Sequence, residues 1–193
     1  MAKNDFRVWR SPKEPTIAHF PVAAASTFVA GEPVRLNTGG ELVECSTDPA
    51  TGNDILGVAM TSGDTVGATD PNGASRQLLG SFTPGTGFPV SGDMVPVIVA
   101  GPDTWFLTSN FDSTTAGFGD TPAKTDVGDG AGLQLVTGTW GIAMGGAQNV
   151  RVLQVLDANY NDIAYSGGTG KHAVFVFTSG QTLAEAVNTD ADA

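Results

Sequence analysis

Residues 172–177 read "HAVFVF", which in an extended chain sets Val174 and Val176 on one face and Phe175 and Phe177 on the other. A strand that is bulky on both faces needs apolar cover on both sides. The rest of the sequence has the means to provide it. Its 26 glycines and 11 prolines, with many Thr, Ser, Asn and Asp and few Lys and Glu, describe short strands joined by turns rather than helices. At 193 residues the chain is long enough to bury a core as one domain.

Two stretches share a spelling. "ILGVAM" at 55–60 and "TWGIAM" at 139–144 both contain Gly-[Val/Ile]-Ala-Met, in a chain with only four methionines. "AGEPV" at 30–34 and "SGDMV" at 91–95 share a small-Gly-acid-x-Val turn leading into a strand. The spellings define two diverged β units, 22–87 and 88–165, within a single β domain over 22–193. The competing explanation is packing alone, because Gly and Ala recur wherever backbones pass closely. The second unit holds a Gly, Thr and Asp-rich excursion at 108–134, read as a long surface loop. In the first, "FVAGEPVRLNTGGELVEC" predicts strands around Val34 to Leu36 and Glu41 to Cys45 with a Gly39-Gly40 hairpin turn between them. "NVRVLQVLD" near the end is a further strong strand. Thr182 and Glu185 form a capping box that predicts one short helix over 183–188.

Charge is unevenly placed. Lys3, Arg7, Arg10 and Lys13 against Asp5 and Glu14 leave the first fourteen residues at +2, while the remaining five basic and eighteen acidic residues leave −13. Such a body repels phosphate, which argues against direct nucleic-acid binding. The first 21 residues carry prolines at 12, 15 and 21 and no helical or strand period, so they form an extended N-terminal arm. Phe6, Val8, Trp9, Ile17 and Phe20 would be wasted in a solvated linker. The arm therefore docks, either on a partner or back on its own domain. The single cysteine, Cys45, makes no internal bridge, and no run after Met1 resembles a signal peptide or a membrane span, which points to synthesis in a reducing cytoplasm without membrane association.

Catalytic and cofactor motifs are few. His19 and His172 are not in metal-binding spacing, Cys45 lacks a CxxC partner, and no Gly-x-Ser-x-Gly elbow occurs. "SGGTGKHAV" at 166–174 departs from a phosphate loop at Tyr165 and His172, and a strand follows where a helix is required. "DANYND" at 157–162 opens like a calcium loop but has Asp162 in place of the glycine and Gly168 in place of the closing glutamate. A turn explains it better. No enzyme activity, cofactor or metal is expected.

The proline-rich arm, then "FVAGEPVRLNTGGELVEC", then "DILGVAM", resembles the head decoration (cement) proteins of tailed bacteriophages. The resemblance implies a mainly β fold, a compact β-barrel or β-sandwich of tulip or jelly-roll type with an extended arm. It also implies a structural virion protein on the outer capsid surface, a homotrimer that staples neighbouring major capsid protein subunits. On that reading Phe6, Arg7, Val8, Trp9, Arg10, Ile17 and Phe20 are the capsid-binding arm, and Phe111 and Phe118 mark a second contact loop. Two other classes remain open: a tail, fibre or baseplate component, and a lectin-like domain in which Trp105 and Trp140 stack on sugars.

Overall fold

The structure, a computed structural model, describes residues 6–9, 14–23, 26, 28–45, 55–60, 81–82, 94–114, 117–145, 148–163 and 170–178. Fourteen strands follow in chain order: β1 (Arg7–Val8), β2 (Ile17–Pro21), β3 (Phe28–Val29), β4 (Pro33–Leu36), β5 (Leu42–Glu44), β6 (Gly57–Ala59), β7 (Ser81–Phe82), β8 (Met94–Val99), β9 (Phe106–Thr108), β10 (Phe111–Asp112), β11 (Gly130–Val136), β12 (Thr139–Ala143), β13 (Val150–Leu156) and β14 (His172–Phe177). The protein is mainly β. A seven-stranded sheet runs β1-β9-β14-β13-β11-β12-β10, a five-stranded sheet runs β2-β8-β6-β4-β5, and β3 pairs with β7. All the pairings are antiparallel except β10 with β12.

The two large sheets pack as a β-sandwich. Phe106, Leu133, Trp140, Ile142, Val152, Phe175 and Phe177 of the first meet Val58 and Ile98 of the second, with Cys45, Ile55 and Ala100 filling between them. The opposite face of the five-stranded sheet has its own core of Val22, Phe28, Val34, Leu42, Leu56, Val95 and Val97. That sheet curls. Val22, one residue past edge strand β2, bridges Leu42 on the far edge strand β5, and Ala23 donates its N–H to the Leu42 carbonyl at 3.0 Å. The described strands approach each other at this point without forming a closed barrel, so the sandwich alternative is the one observed.

Local chemistry matches several elements. The β4–β5 hairpin forms where Gly39-Gly40 predicts it: the Asn37 side chain accepts N–H bonds from Gly39 and Glu41, at 2.8 and 3.0 Å, and Gly40 takes a φ of +74°. The 108–134 excursion is corrected. It is not one surface loop but contains β10, a single 3-10 turn at Lys124–Asp126 and the first half of β11. Phe111 is fully buried, and β10 finds its partner β12 some thirty residues along the chain, a pairing that local composition cannot reveal. The Gly92 turn and the 183–188 helix lie outside the described residues.

The shared Gly-[Val/Ile]-Ala spelling has a packing cause in both copies. A Cβ on Gly57 would lie 2.1 Å from the Ile98 carbonyl oxygen, and one on Gly141 would lie 2.4 Å from the Asn110 carbonyl oxygen and 2.6 Å from the Phe118 ring. The surroundings otherwise differ, since β6 has antiparallel neighbours on both sides and β12 has β10 running parallel to it. Gly57→Ala and Gly141→Ala are each expected to cost about 1–3 kcal/mol or more, read as a lowered denaturation midpoint. Gly101→Ala, with no atom near its Cβ position, should stay within roughly 0.5 kcal/mol of the parent.

Candidate functional site

Alternation along residues 6–9 divides the arm's start between two layers. Phe6 and Val8 turn inward: Phe6 is 4% exposed and meets Phe175 edge-on at 5.2 Å between ring centroids, and Val8 packs against the same core. Arg7 and Trp9 turn outward. β1 adds to the edge of β9 with Arg7 opposite Leu107 and Val8 opposite Phe106, and the Trp9 N–H donates to the Trp105 carbonyl at 2.8 Å. Trp9, Trp105 and Leu153 then cover an outer cluster of Leu107, Leu156 and Val174. The arm's first strand is thus folded back on its own domain. Phe6 and Phe111 are core residues in this fold, which corrects their assignment as exposed contacts. Phe118 is half-buried over Gly141. Arg10 lies outside the described residues.

A turn holds Trp9 from the other side. After β13, Asp157 accepts N–H bonds from Asn159 at 2.7 Å and Asn161 at 2.9 Å, and the Asn161 side-chain amide at 3.2 Å. The turn is organised by this side chain, and it holds Tyr160 at a φ of +64°. The Tyr160 ring stacks with two others, Trp9 at 5.5 Å and His172 at 4.6 Å between centroids. The Arg7 guanidinium reaches the same ring, with a 3.3 Å bond to the phenol oxygen and its charge 5.9 Å from the centroid. Sequence reading misses Tyr160 entirely; "DANYND" marks the turn but not the ring that it presents. The Asn161 N–H, then its side chain, hold the Asp157 carboxyl below the ordinary aspartate range. In the same way the Ser113 hydroxyl and N–H depress Asp120, which closes the 113–120 loop.

The second feature is an uncovered sheet face. Ile17 lies opposite Ile98, His19 opposite Pro96 and Pro21 opposite Met94, and Val58 is opposite Ile98 on the other side. Residues directly opposite share a face, so Ile17, His19, Pro21, Met94 and Pro96 continue the surface that Ile98 and Val58 present to the sandwich core. Among the described residues, the core cluster shared with the seven-stranded sheet includes Ile98 and Val58 but none of these five. Ile17 is 50% and Met94 57% exposed, and Met60, whose N–H bonds to the Pro96 carbonyl at 3.0 Å, is 41% exposed. Phe20, on the other face, packs into the curled sheet's core. Trp140 is buried, so it offers no sugar platform, and Trp105 is taken up in the outer cluster. Among the described residues no three His, Cys, Asp or Glu side chains gather, and no helix is long and apolar enough to cross a membrane.

Two outcomes are expected. Tyr160→Ala should remove the Trp9 stacking signal in near-ultraviolet circular dichroism and cost about 0.5–1.5 kcal/mol beyond lost area. Because the Asp157 carboxyl is depressed in the fold, its contribution is present above the unfolded value and is lost as pH falls through the folded one. The stacking signal should therefore fade on acidification. Asp157→Asn, whose amide oxygen still accepts the turn N–H bonds, should remove most of that acid dependence.

A scan against protein-family models finds no match, and a search of curated proteins finds none.

Proposed function

We propose that this is a structural virion protein that binds the outer surface of a phage capsid and joins neighbouring subunits of the major capsid protein. The observation that carries the reading is the uncovered apolar strip of Ile17, Met60 and Met94 on the five-stranded sheet. Sheet faces normally find cover, and an apolar strip left open on a domain that has already built three internal clusters is a contact surface. In this reading Ile17 is the arm residue that meets the capsid, joined by Met60 and Met94 from the body. Phe6, Val8 and Trp9 instead secure the arm to its own domain.

The other properties of the chain agree. The strong negative charge of residues 15–193 keeps the outward face solvated and repels packaged DNA. Each copy makes a small contact, and a lattice of copies linked through a shared shell resists expansion collectively. No observation favours the lectin-like class once Trp140 is in the core.

The test is the copy number in particles purified from the source, relative to the most abundant shell protein. A ratio near one, or one to a few, is expected; a handful of copies would move the protein to the tail, and absence would overturn the proposal. In reconstitution on shells lacking the protein, Ile17→Asp combined with Met94→Asp should leave the fold intact by circular dichroism and weaken binding at least about tenfold. Unchanged binding would remove the strip from the contact.

A further inference from the structure

We propose that residues 6–9 are an exchangeable strand, and that the slot receiving them accepts the same segment from a second copy of this chain. The inference does not rest on the capsid reading. It rests on what the slot is made of. Phe6 meets Phe175 of β14, Val8 pairs with Phe106 of β9, Trp9 bonds to the Trp105 carbonyl, and Trp9 and Arg7 both engage Tyr160 of the 157–161 turn. Every wall belongs to the body and none to the arm.

The arm's place in the topology makes the exchange simple. β1 is the outermost strand of its sheet and pairs only with β9, so its departure opens no other ladder. It is two residues long, and the chain then crosses to β2, the outermost strand of the other sheet. Between them Pro15 biases Glu14 to an extended conformation. A second copy's segment would make the contacts that the chain's own segment makes now, so exchange leaves those contacts unchanged and costs association entropy, which falls as copies are concentrated, and repulsion between the two bodies. Charge speeds the encounter but does not favour the exchanged form: a released arm, within the first fourteen residues at +2, is drawn to a body at −13, while the two bodies still repel and added salt screens that repulsion.

Two full-length chains, one Trp9→Cys and isotopically heavy, the other Tyr160→Cys and light, are mixed and treated with a short bismaleimide. A chain carrying both substitutions serves as reference. We expect the reference to link 9 to 160 internally at all concentrations, and the mixture to give a heavy–light 9–160 link whose yield rises with total protein. Cys45 is buried and stays outside the reaction. Internal linking in the reference without any link between chains, up to the highest soluble concentration, overturns the exchange. A reference chain that does not link internally removes the slot and overturns it equally.

Discussion

Both faces of β14 are buried, and the rest of the architecture answers to that constraint. On one face Phe175 lies within ring contact of Phe6, Phe106 and Phe177, at 5.2, 5.9 and 5.6 Å. On the other, Val174 packs with Leu107 and Leu156 under the partly buried indoles of Trp9 and Trp105. Aromatic contacts of this kind add specific geometry to a large apolar area, so β14 is fixed in the sheet interior between β9 and β13. The inner face draws in the five-stranded sheet. Among the described residues no third sheet lies over the outer face, and Trp9 from the chain's start joins Trp105 and Leu153 in covering it. Residues 6–9 serve both faces at once because strand alternation sends Phe6 and Val8 inward and Trp9 outward.

The register shift in β13 makes the outer cover possible. Between Val152 and Gln154 the pairing with β14 slips, and the inward and outward positions change places. Val150 and Val152 point into the sandwich before the shift, and Val155 does so after it, leaving Leu153 and Leu156 for the outer cluster. The turn that follows is then aimed over the same face. Its Tyr160 adopts a backbone conformation that costs a non-glycine residue on the order of 1 kcal/mol. The Asp157 carboxylate offsets that by satisfying the turn's N–H groups. A strained residue held this way presents its ring where Trp9 arrives.

The parts of the fold that obey local rules are legible in the sequence. Apolar alternation marks β13 and β14, Gly39-Gly40 marks the β4–β5 hairpin, and the need for two-sided cover at 172–177 follows from its side chains alone. Long-range pairings are not legible. Nothing near Phe111 says that β10 will run parallel to β12, and the glycines around it read as loop because their small size serves close approach as well as mobility. The arm shows the same limit more sharply. Its apolar residues announce that it docks, but only the slot built by β9, β14 and the 157–161 turn decides that Phe6 and Trp9 dock on their own domain while Ile17, eight residues past Trp9, remains exposed. A turn motif such as "DANYND" carries its hydrogen bonds in its spelling, whereas the stacking role of Tyr160 depends on a bulge one strand earlier.

Charge and the exposed apolar side chains act over different ranges. Between strongly acidic bodies repulsion extends roughly 8–10 Å at physiological salt, so two copies approaching at random are held apart before Ile17, Met60 and Met94 can touch anything. The apolar attraction needs direct contact and shape. Any surface that covers Ile17, Met60 and Met94 would therefore need to lack strong negative charge or to carry positive charge. Net charge of this sign and size opposes self-association through the exposed side chains. Were the arm of a second copy released from its own slot, it would meet an acidic body with the opposite charge and would carry the segment that the slot fits.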